Sequence, residues 1–148
     1  WTVIVGLNRA GEKSSFTRFQ MPWTETIACV RAPCGSTPTS VDSTGVGDPV
    51  LEGLQRQAHK THFGGYKFSS ESKQKLMEGL AVAIQGKKVG YPDGIIPAEL
   101  EAYEYEYTRT GVRYTAPEGQ HDDSVCALAL AVACHTEQLL PRARITVY

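Results

Sequence analysis

The sequence predicts an α/β domain in which helices pack on a mixed β-sheet. Three observations carry that reading: short β-branched and aromatic runs bounded by turn residues, apolar stripes at helical spacing between them, and a stretch from Ser124 to about Leu139 that is apolar nearly all round. The elements follow the order β-β-α-β-α-β-α-β-β-α, and no repeat, low-complexity segment or internal linker interrupts it. At 148 residues the chain is the size of one domain, long enough to bury roughly 68 to 70% of its unfolded surface.

Trp1-Thr2-Val3-Ile4-Val5-Gly6-Leu7 reads as a strand, Asn8-Arg9-Ala10-Gly11 as a turn, and residues 13–20 as the returning strand of a hairpin. Trp23, Ile27 and Val30 set a helix over residues 23–31, which Pro33-Cys34-Gly35 should end. Residues 37–42 form a short strand tipped by Asp42, and residues 49–57 form a helix with Pro49 in its first turn. Gly64-Gly65 breaks the chain before a brief strand at residues 66–68. Ser69 or Ser70 caps a helix whose stripe is Leu76, Leu80, Ala83 and Ile84, ending near Gly86.

Residues 97–102 read as a short helix. Tyr103-Glu104-Tyr105-Glu106-Tyr107 alternates with the period of a strand, Thr110-Gly111 turns, and Val112-Arg113-Tyr114-Thr115 returns as its partner. The final helix, apolar on most faces, is expected to be buried.

Charge excludes little. With 15 Lys+Arg against 16 Asp+Glu, a nucleic-acid site must come from local patches rather than the bulk field. The longest apolar run, Val125 to Cys134, is ten residues, far short of the ~18 that span a bilayer, so a soluble protein without membrane contact is expected. No basic segment followed by an apolar stretch marks a secretory signal. Cys29, Cys34, Cys126 and Cys134 make no Cys-x-x-Cys pair and read as reduced structural thiols, which points to an intracellular compartment.

The chemistry concentrates at Gly119-Gln120-His121-Asp122-Asp123-Ser124, where a polar loop enters the last helix, and at Val41-Asp42-Ser43-Thr44-Gly45-Val46-Gly47, about eighty residues earlier. Carboxylates distant in sequence can converge on Mg²⁺ or another hard cation. Each has a simpler reading too: Asp122 and Asp123 as helix caps, Asp42 as a turn residue, His121 as a loop histidine. The glycines after Asp42 offer a phosphate cradle, but the Gly-Lys-Ser/Thr ending of a P-loop is missing. A serine hydrolase lacks its Gly-x-Ser-x-Gly, and His59 with His62 lacks the further ligands of a zinc site.

Four segments then act together: Trp1-Thr2-Val3-Ile4-Val5; Val41-Asp42-Ser43-Thr44-Gly45-Val46-Gly47-Asp48-Pro49-Val50; Phe68-Ser69-Ser70-Glu71-Ser72-Lys73; and Tyr114-Thr115-Ala116-Pro117-Glu118-Gly119-Gln120-His121-Asp122-Asp123. In order and spacing this set resembles the nuclease domain of the large terminase subunit of tailed bacteriophages. The resemblance implies a ribonuclease H-like fold, a central mixed β-sheet flanked by α-helices, whose acidic cluster binds Mg²⁺ or Mn²⁺, two ions in the active complex, and cuts double-stranded DNA during genome packaging. It implies Asp42, Asp122 and Asp123 as catalytic metal ligands, with His121 beside them.

The family's first metal aspartate lies on an opening strand just before the segment matching Trp1. The resemblance therefore implies that residues 1–148 are one nuclease domain lacking that strand and the upstream ATPase motor domain. The motor, portal and small terminase subunit would be its partners, and the host cytoplasm its location. Candidate DNA contacts are Lys73, Arg109 and Arg113, Lys87 and Lys88, and Arg56 with Lys60. Two other readings remain open: a ribonuclease H-like module that binds DNA or partners without cutting, and a phosphate-binding regulatory domain built on Gly45 to Gly47.

Overall fold

The computed structural model, which describes residues 1–45, 47–57, 63–109 and 111–139, contains eleven elements, the ten of the predicted order and the short helix expected over residues 97–102. Strands β1 (Thr2–Leu7) and β2 (Lys13–Phe19) form an antiparallel hairpin, and β5 (Glu104–Thr108) and β6 (Gly111–Thr115) form another. Between them β3 (Thr39–Asp42) and β4 (Phe63–Tyr66) pair in parallel. The helices are α1 (Trp23–Cys34), α2 (Gly47–Gln57), α3 (Ser70–Gln85), α4 (Ile95–Ala102) and α5 (Asp123–Leu139). His59, Lys60, His62, Val46 and Thr110 lie outside the described residues.

Two expectations about local structure are corrected. Helix α1 runs through Pro33 to Cys34 and ends at Gly35, with φ 54°. Proline there forfeits its backbone donor and crowds the carbonyl four residues back, and the helix ends two residues later; the Cys34 thiol donates back to the Val30 carbonyl at 3.0 Å. Strand β4 starts earlier than the glycine pair suggested and contains it, with Ser40 opposite Gly64 and Val41 opposite Gly65. A Cβ at Gly65 would meet Leu51 Cδ2 at 2.6 Å and Ser43 Oγ at 2.9 Å, so the missing side chain is what lets α2 and the turn after Asp42 close over the strand.

The expected central mixed sheet is also corrected. Among the described residues the strands form three separate two-stranded sheets. Between β1 and β3 lies a cleft of about 680 Å³, lined by β1 along its whole length and by β3 from Thr39 to Asp42. No described strand joins the two edges.

The core divides along the same line. The larger apolar cluster joins Leu76, Met77 and Leu80 of α3 to Val125, Leu128 and Val132 of α5, with Val5 and Leu7 of β1 packed on it. The smaller one joins Val30 of α1, Val50 and Leu54 of α2, and Phe63 of β4, with Ile4 and Val41 against it. Strand alternation explains the split: Ile4 faces one cluster, while Val5 and Leu7 belong to the other. Helix α3 starts from a full capping box, in which the Ser69 hydroxyl accepts from the Ser72 N–H and the Ser72 hydroxyl accepts from the Ser69 N–H. Fixing this start fixes the position of Lys73, one residue further on.

No helix among the described residues is long and apolar enough to cross a membrane. All four cysteines are free, Cys29 exposed and Cys34 buried.

Candidate metal centre

The cleft between β1 and β3 collects Asp42, Lys73, Asp122 and Asp123 at its lining, together with Trp1 and Cys126. The charged groups arrive from three places, the end of β3, the first turns of α3 and the entrance of α5. Asp42 ends β3, and its Oδ1 accepts the Thr44 N–H at 2.8 Å, a turn that aims the carboxylate off the strand end. The Thr44 hydroxyl in turn accepts the Phe68 N–H at 2.8 Å, tying this turn to the segment that leads into α3. The turn reading of Asp42 is therefore correct for one oxygen, and it serves to orient the other.

Asp122 and Asp123 stand at the entrance of α5, yet among the described residues neither carboxylate accepts from a backbone N–H of the helix. Asp122 Oδ2 accepts from Lys73 Nζ at 2.9 Å, with both side chains about a quarter exposed. Asp123 Oδ2 lies 3.7 Å from His121 Nδ1 and 3.7 Å from the Trp1 backbone nitrogen. The capping contact comes from elsewhere: the Ser124 N–H donates to Glu99 Oε2 of α4 at 2.8 Å. The acidic pair keeps its oxygens for the cleft.

Cys126, one turn into α5, reports the electrostatics of the site. Burial is the main cause that pushes its thiol up to about 12, and the negative charges of Asp122, Asp123 and Asp42 raise it further against the opposing pull of Lys73. All three predicted carboxylates thus act on a single sulfur atom. The thiol stays protonated at neutral pH, so the cleft presents hard carboxylate oxygens and no thiolate. The Tyr103 hydroxyl, raised mainly by burial and then by Cys126 and Asp122, is buried beside that thiol without an aligned hydrogen bond.

The structure does not gather three metal-ligating side chains tightly enough to hold an ion among the described residues. Asp42 faces Asp122 and Asp123 across the cleft that separates the two halves of the core. His121 is largely exposed at the rim, with its ring edge-on to Trp1 at 6.5 Å.

The candidate DNA contacts fall in different places. Lys73 is in the cleft. Arg109 and Arg113 are exposed on the β5–β6 hairpin, Arg113 opposite Glu106 in register. Lys87 and Lys88 follow the far end of α3 from Lys73, about 20 Å away at 1.5 Å rise per residue. Arg56 is paired with Glu52 on the surface of α2 at 3.2 Å. The glycine turn proposed as a phosphate cradle uses Thr44 N–H on Asp42, and Asp48 beside it pairs with Lys67 at 3.0 Å.

Sequence reasoning missed Glu99, Arg18 and Tyr103. Glu99 sits in a short helix among other acidic residues, and nothing local distinguishes a carboxylate that caps a helix 25 residues away.

No protein-family model and no curated protein sequence matches the chain. Solved structures do. The large terminase nuclease from thermophilic phage G20c matches with a TM-score of 0.77 at 25% identity, over 89% of this chain and 81% of that one. The same nuclease with bound magnesium matches with a TM-score of 0.75 at 26% identity, over 89% and 80%. The large terminase nuclease domain of Thermus phage P74-26, with a TM-score of 0.70 at 22% identity over 88% and 77%, shares the fold. The G20c nuclease also matches in a form with bound cobalt. The motifs of the sequence and the course of the backbone thus converge, and the chain is structurally similar to the nuclease domain of the phage large terminase subunit.

Proposed function

We propose that this domain is a divalent-metal-dependent endonuclease that cleaves double-stranded phage DNA during genome packaging. The observation that carries the reading is the cleft itself, in which Asp42 and an acidic pair free of capping duty face one space and act on one buried thiol. The bound magnesium and cobalt of the G20c nuclease support it. The donor set fits Mg²⁺ or Mn²⁺, which take hard oxygens and need few protein ligands.

Asp42, Asp122 and Asp123 would hold the metal, and a pair of ions would supply an activated water and charge compensation at the leaving oxygen of the phosphodiester. The residues themselves have definite tasks. Thr44 N–H fixes the Asp42 carboxylate, Lys73 neutralises Asp122 and offers an ammonium toward a phosphate oxygen, and His121 stands at the rim beside Asp123. Arg109 and Arg113 on the hairpin are proposed backbone contacts, and such contacts position DNA without reading its sequence.

The fold is proposed to be ribonuclease H-like. The cleft between β1 and β3 is the proposed seat of an opening strand, which would join the two edges into one sheet and carry a further carboxylate to the Asp42 end. Within a complete packaging machine the partners would be an ATPase motor, the portal and the small terminase subunit, in the host cytoplasm.

Plasmid cleavage in Mn²⁺ or Mg²⁺, with the opening strand present, tests the proposal. Cutting that depends on metal and is lost in Asp42→Asn is expected; undiminished cutting by that variant would overturn it. The lack of a preassembled three-ligand cluster among the described residues favours a second reading, a module that binds DNA or partners without cutting. That reading requires DNA binding with no cleavage and no uptake of millimolar Mn²⁺.

A further inference from the structure

Helix α5 is capped by a residue from outside it, and the choice of acceptor matters. The Asp122 carbonyl accepts the Cys126 N–H at 2.9 Å, which makes Asp122 the N-cap and Ser124 the second residue of the helix. An aspartate at that position ordinarily turns its carboxylate onto the second or third N–H of its own helix. In this protein the second N–H is already taken, by Glu99 Oε2 at 2.8 Å.

Glu99 is well anchored for the task. Its other oxygen lies 3.1 Å from Arg18 of β2, and the two side chains are only 10% and 17% exposed. Neither Glu99 Oε1 nor Arg18 Nε has an aligned hydrogen-bond partner among the described residues, so the pair is held by charge where little of either side chain meets solvent. The Arg18 guanidinium in turn lies 4.7 Å from the Trp1 ring centroid. The carboxylate also supplies the negative charge that a helix N-terminus favours. With the Ser124 N–H occupied and the helix dipole met, Asp122 reaches across to Lys73 and Asp123 toward His121.

We propose that Glu99 is a positioning residue: by capping α5 from α4 it keeps the carboxylates of Asp122 and Asp123 out of the cap and available to metal. This rests on the metal-site reading above, and two readouts keep the two claims apart. The first needs no metal. In a crystal structure of Glu99→Ala, the Asp122 carboxylate is expected to turn onto the Ser124 N–H and leave Lys73. If Asp122 stays on Lys73, the proposal is overturned.

The second readout is Mn²⁺ affinity by calorimetry. Loss of a partner outside the direct ligands commonly costs about 10- to 100-fold in metal affinity, and Glu99→Ala is expected within that range. Glu99→Gln keeps an acceptor of the same length and is expected to recover most of the loss, whereas a residue that merely stabilised the fold would show equal affinity in all three proteins. Should Glu99→Ala fail to fold, Glu99→Asp takes its place: it keeps the charge beside Arg18 but falls one methylene short of Ser124, and wild-type Mn²⁺ affinity in it would overturn the proposal. Wild-type protein that takes up no Mn²⁺ would sink the metal reading alone, leaving the orientation of Asp122 to decide the role of Glu99.

Discussion

The two halves of the core differ in size and in what they hold. The half built on α3, α4 and α5 has ten buried apolar residues and carries Lys73, Asp122 and Asp123 on helices packed against each other. The half built on α1, α2, β3 and β4 has five, and carries Asp42 on the end of a four-residue strand. The acidic cleft is the seam between them. A site divided in this way has one firm wall and one weaker wall, so the position of Asp42 depends on a small cluster and a few turn contacts.

The largest effects should come from the cores. Leu54 and Leu128 are both fully buried, one in each half, and Leu→Ala at such sites costs about 2 to 5 kcal/mol. The consequences should differ. Leu54→Ala is expected to lose hydrogen-exchange protection in α2, β3 and β4 while α3 and α5 keep theirs, and Leu128→Ala to lower protection throughout. Equal, global loss in both variants would show that the halves unfold as one unit and would remove the contrast.

Gly65→Ala sharpens the comparison at closer range. Its methyl would press on Leu51 and on the Ser43 side chain beside Asp42, and crowding of a packed site typically costs about 1 to 3 kcal/mol. Denaturant unfolding is expected to show that loss, with weaker Mn²⁺ binding because the displaced turn holds Asp42. Gly64→Ala, where a methyl meets nothing within 4 Å, is the control and should leave metal binding unchanged.

Alkaline pH probes the other wall. Cys126 is raised from 9.0 to about 12, chiefly by burial, so the folded protein keeps a proton that the unfolded chain releases. Its contribution is whole below pH 9 and declines as pH rises from there toward 12. By pH 10 the decline should reach about 1 kcal/mol. The raised hydroxyls of Tyr103 and Tyr114 act in the same direction at higher pH. Cys126→Ala is expected to flatten the fall in stability between pH 9 and 10, and an unchanged slope would contradict the assignment.

Much of the molecule was legible in the sequence because local chemistry decided it. The capping serine of α3, the alternation in β5 and the apolar length of α5 each carry their own signal, and so do the aspartates that end β3 and begin α5. What was not legible depended on contacts between distant segments. Pro33 stays within the helix, which then ends at Gly35, the residue with a positive φ. The glycines of β4 belong to a strand because they pair with Ser40 and Val41 of β3, and Leu51 of α2 leaves Gly65 no room for a side chain. The continuity of the sheet is decided by what lies between β1 and β3, which neither strand's pattern reveals. Lys73 reads in the sequence only as a candidate DNA contact, and its place on Asp122 arises from the packing of α3 against α5.

The central claim is that Asp42 and Asp122, on opposite walls of the cleft, serve one metal centre. A double-mutant cycle on Mn²⁺ affinity tests it, using Asp42→Asn, Asp122→Asn and the pair together. Each single change is expected to weaken binding at least tenfold, and the double variant to bind little worse than the weaker single, because a centre missing one ligand has little left for the second change to remove. Losses that simply add, or a single variant that binds Mn²⁺ as the wild type does, would contradict a shared centre.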